Sequence, residues 1–132
     1  MSSCVLAFWH HPLFNSGAVH RSSMPSGVRE LWRDLYGAGV DVVLNGREHN
    51  YQRYAKQDPE GRATPDGIRE LVVGTGGSRI YPLLSAKDGN YEAGQDASFG
   101  VLRMHLQPDT YSWEFVAIDG TVQEAGGPVA CN

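Results

Sequence analysis

The chain lacks the marks of several functional classes. It has only two cysteines, Cys4 and Cys131, near opposite ends. They do not have the CxxC spacing of zinc or redox motifs. Two states are open to them: a disulfide closing nearly the whole chain, which the chain-entropy model values at roughly 4–5 kcal/mol, or two buried thiols. No apolar run approaches a membrane span. The longest, Val5 to Trp9, is strand-sized, so no membrane partner is expected. Positive charge is in deficit, with 11 Lys and Arg against 15 Asp and Glu and a net charge of -4. This argues against nucleic acid, which calls for a basic face. Met1-Ser2-Ser3 offers neither a basic n-region nor an apolar h-region, so no signal peptide is expected. Gly74-Thr75-Gly76-Gly77 matches neither GxGxxG nor a P-loop, and no Gly-x-Ser-x-Gly elbow occurs. Internal repeats and low-complexity segments are also missing.

At 132 residues the chain reads as a single domain, 1–132, long enough to bury a core. Val5 to Trp9 is continuous, apolar and rich in β-formers. It predicts a strand that His10-His11-Pro12 ends, because proline cannot continue a central ladder. Leu13 to Ser23 reads as a loop carrying Asn15, Ser16, Gly17 and His20. From Pro25 the period changes: Val28, Leu31, Trp32, Leu35 and Tyr36 form one apolar helical stripe. Ser26 is the expected N-cap, with Gly37 and Gly39 terminating the helix. Val42 to Leu44 is a second buried strand, followed by the turn Asn45-Gly46 and then by Glu48 and His49. Strand, helix and strand make one βαβ unit with parallel strands. Both histidine clusters then leave the same edge of one sheet, where α/β proteins assemble sites.

Downstream, Gln57 to Gly67 carries two turn signatures, Asp58-Pro59-Glu60-Gly61 and Pro65-Asp66-Gly67. Leu71 to Val73 reads as a short strand and Ser78 to Ser98 as a long, partly ordered irregular segment. The remainder alternates in the manner of strands: Leu102, Met104 and Leu106, then Tyr111, Trp113, Phe115 and Ala117. Asp119-Gly120 gives a hairpin into Thr121 to Gln123.

Of the five histidines, His10 and His49 stand at neighbouring strand ends, where imidazoles suit transition ions. His20 is a candidate proton donor or phosphate contact. His11 is a weaker, outer candidate, and His105 reads as structural.

Trp9-His10-His11-Pro12-Leu13-Phe14-Asn15-Ser16-Gly17, followed by Val40 to Tyr54 with Asn45-Gly46-x-Glu48-His49-Asn50-Tyr51, resembles the last two metal-ligand motifs of calcineurin-like metallophosphoesterases. The purple acid phosphatase branch is the nearest in pattern. Gly67 to Gly77 and Ser112-Trp113-Glu114-Phe115 look like secreted bacterial members. The resemblance implies an α/β fold: half of an α/β/β/α sandwich, one βαβ unit followed by mainly antiparallel strands. It implies metal-dependent hydrolysis of phosphate mono- or diesters, with zinc, iron or manganese as the divalent ion. His10 would ligate one metal and His49 the other, and His20 would contact the substrate phosphate.

Two departures qualify this picture. Arg47 replaces the first His of the family's Gly-His-x-His. A guanidinium keeps its proton and cannot ligate, but it can clamp an anion. Glu48 and Asn50 then become an outer-shell acceptor and a backbone organiser. In addition, no Asp-x-His, Gly-Asp-x-x-Asp or Gly-Asn-His precedes Val5, so the chain resembles the carboxyl-terminal half alone. An unpaired Val5 strand edge would drive association, most simply as a two-fold homodimer. A non-catalytic metal- or anion-binding remnant, or one half of a split phosphoesterase, is the alternative.

Overall fold

The computed structural model describes residues 3–22 and 24–132. Nine elements follow in order: β1 (Leu6–Phe8), α1 (Val28–Gly37), β2 (Val42–Asn45), β3 (Tyr51–Tyr54), β4 (Arg69–Val73), β5 (Tyr91–Gln95), β6 (Gly100–Leu106), β7 (Thr110–Ala117) and β8 (Val122–Ala130). They form a five-stranded sheet ordered β1-β2-β4-β3-β5 and a three-stranded sheet ordered β6-β7-β8. In the first, β1, β2 and β4 are parallel, while β3 runs antiparallel to both its neighbours. The second is wholly antiparallel.

Alternation along β1 and β2 divides the core into two layers, since successive side chains leave opposite faces. Val43, with partly buried Ala7 beside it, meets the helix through Val28, Trp32, Leu35 and Tyr36. Val42, Leu6 and Leu44 meet the second sheet through Tyr111, Trp113 and Phe115. The molecule is therefore helix on sheet on sheet, as expected for half of a four-layer sandwich. Helix α1 is too short to cross a membrane.

Several local expectations are corrected. The N-cap is Gly27, in left-handed geometry at φ 94° with no side-chain cap, rather than Ser26. Gly37 is the last helical residue, and only Gly39 takes the left-handed turn. Leu31 is 40% exposed, so the apolar stripe is narrower than its spacing suggests. The segment 78–98 contains a regular strand, β5, which pairs with β3. Strand β8 runs on to Ala130 because Gly126 lets the Trp113 indole lie where a Cβ would stand.

Cys4 and Cys131 form a disulfide with Cα atoms 5.3 Å apart. Buried Asp41, just before β2, ties the same two ends together. Its carboxylate accepts from the Val5 amide at 2.8 Å and the Asn132 amide at 2.6 Å. A second charged cluster joins the sheets: Glu124 of β8 accepts from Tyr51, Arg53 and Trp113. Burial opposes ionisation of Glu124, but these donors outweigh it and hold the carboxyl below its ordinary range.

Candidate functional site

Parallel pairing of β1 with β2 puts the turns that follow them side by side. The turns are joined directly: Gly46 N–H donates to the His10 carbonyl at 3.0 Å, and the Asn45 amide donates to the Trp9 carbonyl at 3.1 Å. A Cβ on Gly46 would stand 3.4 Å from His10 Nδ1, so the ring lies against the second turn. His10 is exposed and meets His11 edge-on at 4.9 Å between centroids. Arg47 adopts φ 65°, the only non-glycine residue at positive φ among those described. That conformation is uncommon for a long side chain. Its Nε is buried with no hydrogen-bond partner among the described residues.

The loop from Leu13 to His20 would splay into solvent on its own. It is held instead by side chains that reach out from the sheet and the turn after it. Glu70 of β4 accepts from the amides of Leu13, at 2.9 Å, and Phe14. Gln52 of β3 accepts from Ser16 at 2.8 Å. Glu48, fully buried, accepts from Asn15 Nδ2 at 2.9 Å, Val19 N at 3.2 Å and His20 N at 2.8 Å. Loop and carboxylate come this close only because residue 17 is glycine: a Cβ there would fall 2.1 Å from Glu48 Cδ. His20 Nδ1 lies 3.7 Å from the same carboxylate. Burial drives the Glu70 carboxyl well above its usual range, although the two amides pull it back.

His20 and His49 are thereby brought to 6.1 Å between ring centroids. His11, His20 and Arg47 share a narrow crevice with Asn15 and Arg21. Partial burial, together with His10, Arg47 and His20 nearby, holds His11 below the usual imidazole range. Asn50 is buried. It donates from Nδ2 to the Tyr81 carbonyl at 3.0 Å and accepts from Gln52 at 2.8 Å. His105 is exposed on β6, away from this cluster.

Three participants escaped sequence reasoning. Tyr81 stacks on His49 at 4.2 Å, with planes 6° apart, and it lies in the stretch that read as irregular. The Arg79 carbonyl accepts from His49 Nδ1 at 2.7 Å, and no sequence signal reveals a backbone contact of that kind. Glu70 had a signal: a carboxylate opening an apolar strand must find donors once buried.

The metal centre that the resemblance implies calls for a cluster of ligating side chains among these residues. Among those described, no group of three or more His, Cys, Asp or Glu is arranged to hold a metal ion. The nearby carboxylate, Glu48, is occupied by loop donors. His10 and His49 offer two imidazoles, but the described residues alone do not fit a complete centre.

A two-sheet α/β domain with histidine-bearing turns at the carboxyl ends of adjacent parallel strands has the architecture of a metallophosphoesterase half. The comparisons narrow this. No protein-family model matches the chain. It is 29% identical over 110 residues to purple acid phosphatase 18 of Arabidopsis thaliana, covering 82% of this chain and 25% of the relative. It is 30% identical over 125 residues to probable purple acid phosphatase 20 of the same plant, covering 89% and 29%. Among solved structures, it superposes on the purple acid phosphatase PPD1 of yellow lupin (Lupinus luteus) seeds with a TM-score of 0.76. The identity is 17%, with 92% of this chain and 24% of the other covered. GAP50, the anchor in the inner membrane complex of Plasmodium, gives a TM-score of 0.73 at 18% identity, covering 93% and 35%. The chain is similar in sequence and fold to part of the purple acid phosphatases, and it spans about a quarter of the length of the curated relatives it matches.

Proposed function

We propose that this chain takes part in metal-dependent hydrolysis of phosphate esters as the histidine-bearing part of a metallophosphoesterase site. In this reading His10 and His49 are ligands to divalent zinc, iron or manganese, and a second copy of the chain supplies further ligands. When bound, the metal would supply an activated water and neutralise phosphoryl charge. His20 and Arg47 contact the phosphate: the imidazole as donor, the guanidinium as a fixed charge. The observation that carries this reading is the lashing of the 13–20 loop to Glu48, which supports a shared role for His20 and His49 by bringing their rings to 6.1 Å.

The test is hydrolysis of an activated phosphate ester with and without added metal, by wild type and by Arg47→Ala. Loss of one charge-assisted contact, about 1.5–3 kcal/mol, should weaken phosphate binding roughly 10- to 100-fold in the variant. Equal rates with and without metal would remove the mechanism. Unchanged phosphate affinity in Arg47→Ala would remove Arg47 from it.

A second reading, a non-catalytic metal- or anion-binding unit or one half of a split phosphoesterase, is favoured by the lack of a three-ligand group among the described residues. Metal content per chain after dialysis, read with the hydrolysis assay, separates the two: retained transition ions with metal-dependent hydrolysis support the first reading, and retained ions without hydrolysis, or none even on titration, support the second. Association of two copies along β1 belongs to the same proposal. It is supported by edge exposure of 44% at Val5 and 78% at Phe8. Sedimentation that gives a monomer at all concentrations would exclude it.

A further inference from the structure

We propose that the Arg79 carbonyl and the Tyr81 ring form a clamp that holds His49 as its Nδ1–H tautomer, so that Nε2 is the open, unprotonated nitrogen of this site. A carbonyl can only accept, so at 2.7 Å the proton between His49 Nδ1 and Arg79 O belongs to the imidazole. In free histidine the neutral ring prefers its proton on Nε2. The partner of one ring nitrogen decides the state of the other, and here the partner reverses that preference. An imidazole whose second nitrogen is held by a carbonyl has its orientation and tautomer fixed, the arrangement that second-sphere contacts give to ligating histidines.

The clamp is mutual. Tyr81 N–H donates to the His49 carbonyl at 2.9 Å, and Asn50 Nδ2 donates to the Tyr81 carbonyl at 3.0 Å. The backbone of the 49–50 turn therefore seats Tyr81. Its ring in turn lies flat on the His49 imidazole, with centroids 4.2 Å apart and planes 6° from parallel. His20 closes the group edge-on, 5.4 Å from Tyr81. With one face covered and Nδ1 tethered, the His49 ring cannot flip without breaking both contacts. Tyr81 is thus a positioning residue, acting through His49. The inference deepens the reading of His49 given above, but it is tested without metal, substrate or turnover.

The experiment is long-range 1H–15N correlation of the histidine side chains in the uniformly labelled, metal-free 132-residue protein at pH 8. Exposed His105 serves as internal reference. His49 is expected to show an Nδ1–H to Nε2–H ratio about fivefold or more above that of His105, the equivalent of one ordinary hydrogen bond, while His105 shows the free-imidazole pattern. Tyr81→Phe keeps the ring and should keep the His49 signature. Tyr81→Leu removes the stack and should convert it to a mixture. A predominant Nε2–H signal in the wild type overturns the inference, and that spectrum needs no variant to fold. A Tyr81→Leu spectrum identical to wild type removes Tyr81 from the clamp. Failure of phosphate-ester hydrolysis alongside the expected tautomer would discard the proposed reaction and leave the clamp standing.

Discussion

Removing the Glu48 carboxylate should release the loop that carries His20. In Glu48→Ala three donors lose their acceptor. Asn15 Nδ2 is buried, and stranding it costs about 1–3 kcal/mol. The amides of Val19 and His20 lie in more exposed residues and can turn to water, losing about 0.5–1.5 kcal/mol each. The sum is about 2–6 kcal/mol. Glu48→Gln should differ sharply. Asn15 and His20 both donate to Oε2, so the amide oxygen can replace it. Only the Val19 contact to Oε1 then meets an NH2 group, a loss of about 1 kcal/mol. Urea unfolding gives the stability difference, and hydrogen exchange at the 15–20 amides shows where it falls. Gly17→Ala should reproduce the alanine variant, since a Cβ at 17 displaces the Glu48 side chain. Glu48→Ala within 1 kcal/mol of wild type, with unchanged exchange at His20, would refute the reasoning.

Reducing the Cys4–Cys131 bond, or replacing both residues with serine, should cost up to about 5 kcal/mol from the entropy of a 127-residue separation. At this chain length that is a drop of about 15 °C in Tm. An unchanged melting curve with reductant would show that Asp41 and the sheet hold the ends unaided. Glu124→Ala should destabilise by about 2–4 kcal/mol, because Tyr51, Arg53 and Trp113 all donate to one carboxylate between the sheets. The pH dependence follows in sign. The folded carboxyl lies below its unfolded value, so its contribution is complete above about pH 4.5 and is lost as pH falls through the depressed folded value. Glu124→Gln should flatten that acid limb; an unaltered limb would place the acid transition on another group.

The chain's local chemistry was enough to reveal the βαβ unit. Val28, Trp32, Leu35 and Tyr36 repeat at helical spacing, and the strands on either side are short apolar runs whose periodicity solvent exclusion enforces. The His10, His20 and His49 positions were legible for a related reason. Turns at strand ends carry their chemistry in contiguous residues, and the two family motifs stand intact apart from Arg47. β5 was not legible, because Tyr91 to Gln95 is half-exposed on an edge and has no apolar period to announce it. Ser26 was a reasonable cap by type, yet the chain enters the helix through a left-handed Gly27.

What the sequence determined by itself, then, is which groups exist and which strand ends bear them. Residue type fixes hydrogen-bonding capacity and charge, and spacing fixes the face. What only the tertiary structure decided is which groups meet. Glu48 became the anchor of the His20 loop, Tyr81 the wall beside His49, and Cys4 the partner of Cys131. Those pairings join positions 28, 32 and 127 residues apart along the chain. Separations of that size leave no local pattern, and the contacts arise when two sheets and a helix close over a shared core.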